Sequence, residues 1–259
     1  MFIMNTFQRI KDTALDYVDI LTFFVYTMRT LFIQRGKGKK LIIESIMRQV
    51  LFTGLKALAV MSIVSLLIGG LIIFITADSG LQESLISLVL INTIIRYVGP
   101  LITLMILIGR SGTAIAAEIG NMMMSHEIEA LEIMGIDSLH YVAAPRIIGM
   151  SVAIVCLSIF FSMVGILGGA VVMVNLVDNF SLDRFYRSFF NHLTVSVILE
   201  SLLKILIAGM IISTVGCYQG FQVKHSSTEV PQMTTLAVGR SIILCFVFYV
   251  YFTVMFIYV

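Results

Sequence analysis

The sequence has no tryptophan, and only 12% of its 259 residues are charged. Soluble domains carry about 25% charged residues, so this chain has too little charge for a water-soluble globule. Disorder is excluded by the same figures. An unfolded chain needs low hydrophobicity and high net charge, whereas this one is 59% hydrophobic, with a mean hydropathy of +1.02 and a formal net charge of +2. That small net charge gives no electrostatic footprint for nucleic acid either. Without tryptophan, any aromatic belt at a membrane surface falls to Tyr and Phe. Cysteine is scarce and odd in number. Cys156, Cys217 and Cys245 all lie in apolar runs, where they read as small buried hydrophobes rather than as a disulfide framework. The class that remains is an all-α, polytopic membrane protein.

Catalytic and metal-binding patterns are missing too. Gly36-Lys37-Gly38-Lys39 lacks the spacing of a phosphate-binding loop and follows no strand. His126-Glu127 begins like a zinc-protease helix, but position 130 is Ala, so the second ligand fails. His126, His140, His192 and His225 are scattered, and no Ser/His/Asp arrangement is legible. The chain reads as no enzyme, with no catalytic residue and no metal ligand set.

What is present is a series of long apolar runs. A helical span needs about 20 apolar residues. Five runs qualify, at about 57–77, 84–108, 147–177, 195–221 and 241–259. The first contains Gly69-Gly70. The third carries Gly165 and Gly169, a small-residue pair suited to close helix packing. These spans make residues 51–259 one transmembrane domain.

Residues 1–50 form a separate N-terminal region. Phe7, Ile10, Ala14, Tyr17, Leu21, Phe24 and Met28 recur at steps of three and four, while Gln8, Asp12, Asp16 and Asp19 fall on another face. That is an amphipathic helix, interfacial or re-entrant. Its charges run too deep for a signal peptide. The turn from Arg35 to Lys40 is basic and suits anionic head groups. With the N-terminus in the cytoplasm, thirteen of the 17 Lys and Arg lie inside, and Arg184 and Arg187 lie outside. The bias satisfies the positive-inside rule, and five spans leave the C-terminus outside.

Two basic residues remain at membrane depth, Arg96 and Lys204, with Glu200 one helical turn before Lys204. Intramembrane charges cost about 2.5–3.5 kcal/mol each on insertion scales and face a cavity or a partner. Glu200 and Lys204, i,i+4 in the favourable order, either neutralise each other near the outer interface or serve a ligand. In the second case Arg96 and Lys204 offer cations to an anionic head group, with apolar walls for acyl chains. Gly99-Pro100 follows Arg96 and allows a kink beside the charge. Tyr97, Gly99 and Pro100 therefore join Arg96, Glu200 and Lys204 as candidate substrate-binding residues. An ion-coupled secondary transporter using Arg96, Glu200 and Lys204 is a rival reading, as is a non-transporting membrane anchor.

The longest inner connection, Gly109 to Pro145, is no floppy loop. It predicts a short cytoplasmic helix over about 125–134, with Ser125 as N-cap, Glu127 and Glu129 in the first turn, and Gly135 as the stop. Ile128, Leu131 and Met134 would share one face, with Glu129 and Glu132 beside it. Such a helix either transmits force to a soluble partner or lies flat on the membrane.

The stretch Gly109 to Gly120 (GRSGTAIAAEIG), Glu129 to Asp137 (EALEIMGID) and the Pro145-Arg146 pair resembles the MlaE/YrbE permease family. Arg96-Tyr97-Val98-Gly99-Pro100 matches that family's Arg-Glu-Leu-Gly-Pro, with Tyr97 in place of Glu. Leu203-Lys204, Gly216 to Phe221 and Glu229 to Val238 agree as well, so the likeness covers about residues 50–259. The resemblance implies the permease subunit of an ATP-driven ABC lipid transporter in the inner membrane of a double-membraned bacterium. It implies a homodimer, a separate ABC ATPase, an MCE-domain protein on the outer side, and phospholipid or a similar amphipathic lipid as substrate. No cofactor would bind directly; ATP and Mg would act through the ATPase. Glu118, Ser125, Glu127, Glu129, Leu131, Glu132 and Met134 are then expected to couple the permease to that motor.

Overall fold

The computed structural model describes residues 2–33, 39–78, 88–176, 187, 189–224, 226 and 228–257. Most of the basic turn, the start of the second apolar run, the last residue of the third (Val177) and Arg184 lie outside these residues. Helix α1 is Phe2–Ile33 and α2 is Lys39–Asp78. Helix α3 is a continuous rod, Leu88–Met124, and α4 is the short Glu127–Ile133. Helix α5 is Ala144–Leu176, led in by a π-helical turn at Leu139–Ala143. Helices α6 and α7 are Val195–Phe221 and Glu229–Ile257. No strand occurs among the described residues. Five helices there (α2, α3, α5, α6 and α7) are long and apolar enough to cross a membrane; α1 is not one of them.

The spans overrun the limits drawn from the sequence. Apolar runs stop at charges, but a helix continues wherever its backbone bonds and solvent-facing side chains allow. Helix α2 starts at Lys39 rather than near residue 57, and Glu44 and Arg48 pair at 2.8 Å on its exposed extension. Helix α3 does not end at residue 108. Thr113–Met124 continues it, burying Ile115, Ala116, Ile119 and Gly120 against α6 and α7. What read as the first part of a cytoplasmic connection is therefore bundle core. Helix α6 coincides with its apolar run.

Helices α2 and α5 pack along their lengths. Their backbones meet at two of the glycines. A Cβ on Gly69 would lie 2.1 Å from the Gly165 carbonyl oxygen, so no side chain fits. Ser65 lies beside them and donates to the Phe161 carbonyl. In a bilayer, close backbone approach of this kind supplies the packing that the hydrophobic effect supplies in water.

Helix α1 rests on the bundle more lightly. Phe23 packs on the rings of Tyr218 and Phe221, each 5.8 Å away, and Asp16 pairs with Arg240 in the first half of α7. That pair is partly exposed, so solvent screens it and it contributes about 0.2–1 kcal/mol. For Arg240→Ala we expect faster hydrogen exchange in α1 after Asp16 and unchanged exchange in α2 and α5. Equal protection of α1 in the variant would show that the aromatic contacts alone hold the helix.

Candidate functional site

The second span is not a plain α-helix. It is wound as π-helix over Ile91–Val98, and the Gly99 N–H donates to the Ile94 carbonyl, five residues back. π-Turns inside α-helices are rare and concentrate at functional sites. The sequence shows why one sits here. Pro100 has no N–H, so it can serve neither the carbonyl four residues back (Arg96, the α partner) nor the one five back (Ile95, the π partner). Buried carbonyls need partners, and the neighbouring helices supply them. Ser201 Oγ donates to the Ile95 oxygen at 2.8 Å, and Lys204 Nζ to the Arg96 oxygen at 3.4 Å. Tyr249 Oη donates to the Tyr97 oxygen at 2.6 Å and lies 3.3 Å from that of Arg96. Gly99 is the residue this winding demands, because a Cβ there would lie 2.1 Å from the Ile94 oxygen.

The three membrane charges meet at the same turn. Glu200 stands between the cations, with Oε2 at 2.9 Å from Arg96 Nε and Oε1 at 3.2 Å from Lys204 Nζ. The Arg96 N–H is not aimed along its contact, which makes that pair Coulombic rather than a well-aligned hydrogen bond. Glu200 is 3% exposed and Lys204 0%. Rings close over Lys204, with Tyr249, Tyr97 and Phe252 centred 4.8, 5.6 and 5.9 Å from Nζ. Lys204 therefore keeps its charge inside the bundle, against Glu200 and these rings. Arg96 differs: its side chain keeps 22% of its surface exposed, and it lies 5.4 Å from the Tyr97 ring. Gly99 and Pro100 are buried, and they shape the turn without lining a surface. Of the six candidates, Arg96 and Tyr97 are half-buried, and Gly99, Pro100, Glu200 and Lys204 are buried.

Two members of the cluster were invisible in the sequence. Ser201 and Tyr249 sit in apolar runs with nothing local to mark them. A Tyr deep in the span α7 is nonetheless a signal, since a buried hydroxyl must find an acceptor.

The inner connection forms a second site. Helix α4 is two turns long, and its N-cap is His126, in the left-handed region at φ 58°, rather than Ser125. Ser125 instead closes the end of α3. Its Oγ lies 3.0 Å from the Asn121 carbonyl oxygen and 2.9 Å from Glu127 Oε1, to which it donates. Gly135, at φ +75°, ends the helix. Its N–H and that of Ile136 donate back to the Glu132 and Leu131 carbonyls, at 2.9 and 3.0 Å, which is the Schellman pattern. The expected apolar face divides. Ile128 is buried and Leu131 half-buried, while Met134 turns outward at 65% exposure beside Ile133 at 87%. Glu129 pairs with His126 at 2.9 Å, and Glu132 accepts from Ser138 Oγ at 2.7 Å. Glu118 lies 3.4 Å from Arg146 and braces α3 to the start of α5. Glu118, Glu127, Leu131, Met134 and Arg146 share a cleft of about 680 Å3 between α4 and the start of α2. Among the described residues no group of His, Cys, Asp or Glu is gathered as a metal site.

A bundle of five apolar spans, a charged and partly exposed turn at membrane depth, and a short amphipathic helix between two spans define a multi-pass membrane transport component. Comparison with known proteins gives the family. The profile of the permease MlaE family matches residues 46–255, and the chain belongs to that family. It is similar to a probable ABC transporter permease of Rickettsia typhi, 30% identical over 208 residues, covering 79% of this chain and 80% of the relative. It is also similar to the intermembrane phospholipid transport system permease protein MlaE of Haemophilus influenzae, 31% identical over 193 residues, covering 70% and 72%. A third relative is the chloroplastic protein trigalactosyldiacylglycerol 1 of Arabidopsis thaliana, 30% identical over 152 residues, covering 59% and 43%. The chain is an ABC transporter permease, a transport component rather than a catalyst.

Proposed function

We propose that this protein moves phospholipid, or a similar amphipathic lipid, between the inner membrane of a double-membraned bacterium and an MCE-protein conduit. It does so as a homodimer driven by a separate ABC ATPase that binds ATP and Mg. The N-terminus faces the cytoplasm, on the side of α4, and the C-terminus faces the periplasm. The observation that carries this reading is Arg96: a cation at membrane depth, fixed by a buried carboxylate and part-exposed on one side. A lipid phosphate is an anion whose apolar remainder matches the surrounding walls, so a lipid carried into the bundle would bring its charge to Arg96. Lys204, with no exposed surface, supports Arg96 through Glu200 and through the Arg96 carbonyl and does not touch the lipid. The phospholipid named for the Haemophilus relative has this two-part chemistry.

The test is purification in mild detergent, with mass spectrometry of co-purifying proteins and bound lipid. An ATPase, an MCE-domain protein and phospholipid are the expected companions, and lipid transfer is expected to require ATP. For Arg96→Ala we expect bound phospholipid to fall about ten- to hundred-fold, the loss of one charge-assisted contact of about 1.5–3 kcal/mol. Transport that follows a proton or sodium gradient without ATP would overturn the reading.

A further inference from the structure

The Arg96, Glu200 and Lys204 cluster holds two cations and one carboxylate, so its formal charge is +1. Glu200 divides its two oxygens between the cations, one on each. Because Lys204 is wholly enclosed, the surplus charge is expressed at Arg96, where the cluster reaches a surface. Glu200 meets that guanidinium at Nε. The guanidinium has further N–H donors on its Nη edge, and no second carboxylate pairs with it among the described residues. The other groups around Lys204 are the rings of Tyr97, Tyr249 and Phe252, which add no formal charge.

We infer that Glu200 sets the head-group charge this site accepts, favouring a phosphodiester lipid over a phosphomonoester lipid. The inference rests on the reading of Arg96 as the lipid contact. A phosphodiester brings one negative charge and closes the cluster to neutrality. A phosphomonoester carries about 1.5–2 negative charges at pH 7 and leaves surplus anion facing the Glu200 carboxylate across the guanidinium. At membrane depth that repulsion is weakly screened. Glu200 is buried and pinned on both oxygens, so it cannot swing away to relieve it. The carboxylate thus does more than offset Lys204: it decides how much negative charge Arg96 tolerates.

The test uses the intact transporter in nanodiscs containing equal amounts of phosphatidylglycerol and phosphatidic acid, with bound lipid counted by native mass spectrometry. Glu200→Gln raises the cluster to +2. The bound ratio of phosphatidic acid to phosphatidylglycerol is expected to rise by at least about three-fold, the effect of one unit charge at ~7 Å under full aqueous screening. Glu200→Gln combined with Lys204→Met returns the cluster to +1 and is expected to restore the wild-type ratio. Replacing both members of a buried pair is also tolerated better than removing one. Should Glu200→Gln alone fail to fold, Lys204→Met makes the opposite change, to zero, and is expected to lower the ratio by a similar factor. An unchanged ratio in a folded single variant, or a ratio still raised in the double variant, overturns the inference. Arg96→Ala separates the two layers. If it keeps the wild-type amount of both lipids, the lipid-contact reading falls and this inference with it. If it loses lipid while the Glu200→Gln ratio stays flat, the selectivity inference alone falls.

Discussion

A Gly99→Ala substitution is expected to abolish lipid transport while leaving the protein inserted and helical. The added Cβ would stand 2.1 Å from the Ile94 oxygen and 3.4 Å from a ring carbon of Phe161. The first of these is backbone and cannot move aside without undoing the turn. The least costly escape is to rewind Ile91–Val98 from π to α. That removes one residue from the turn and rotates the N-terminal part of α3 by about 100° relative to its C-terminal part, the angle per residue of a helix with 3.6 residues per turn. Arg96 and Tyr97 would leave α6 and α7, and the Ile95, Arg96 and Tyr97 carbonyls would lose Ser201, Lys204 and Tyr249. Breaking a buried ion pair from one side costs about 3–5 kcal/mol, equivalent to more than a hundred-fold in the population of the competent site. Transfer of labelled lipid should fall to background, and the unfolding midpoint in detergent should drop. The helical content by circular dichroism should stay. Wild-type transfer by a folded Gly99→Ala protein would show that the π-turn has no part in transport.

Much of this turn was legible, but not its winding. Arg96, Glu200 and Lys204 stood out because charge is expensive in an apolar run, and the i,i+4 pairing of Glu200 with Lys204 holds in three dimensions. Gly99-Pro100 announced a helix irregularity. The sequence could not say which kind, since a missing N–H is answered equally by a kink or by an extra residue in the turn. The choice was made by Ser201 and Tyr249, whose hydroxyls reach the freed carbonyls from helices that local pattern cannot place beside the second span. At the inner connection the short helix and its Gly135 stop were legible and the N-cap was not, for a related reason. Ser125 is a good N-cap for the acidic helix after it, but it is also within reach of the helix before it. Because Ile115, Ala116 and Ile119 have α6 and α7 to pack on, that earlier helix persists to Met124 and takes Ser125 as its own end. His126 is left to make the turn. Gly135 was readable from position alone, because a positive φ at a helix end favours glycine. Gly69 and Gly165 were each visible as small residues; that they face one another is a property of the α2–α5 crossing.

Ile133→Asp combined with Met134→Asp is expected to strip the ATPase from the complex without unfolding the permease. Helix α4 is anchored from beneath by buried Ile128 and half-buried Leu131, and laterally by the Ser138–Glu132 bond. None of these anchors involves the tip. There Ile133 and Met134 stand 87% and 65% exposed, with exposed Glu129 one turn before Ile133. Asp near a helix C-terminus opposes the helix dipole by about 0.3–1 kcal/mol each, a local cost to α4 that leaves the packing of the five spans unchanged. A partner that seats the tip in a pocket would register the two substitutions strongly, because central apolar contacts carry most of an interface's energy, at about 2 kcal/mol or more each. Two such losses, with charge now forced into the pocket, weaken association on the order of a hundred-fold or more. Glu129→Lys should weaken it less, since it reverses one solvated charge at the rim and releases His126. Ile128→Asp is the contrasting variant: its site is core, so it should destabilise α4 itself. Pull-down of the ATPase with each variant, beside its unfolding midpoint, distinguishes these outcomes. Full ATPase recovery with the double variant would mean that α4 lies flat on the membrane and that the motor docks elsewhere.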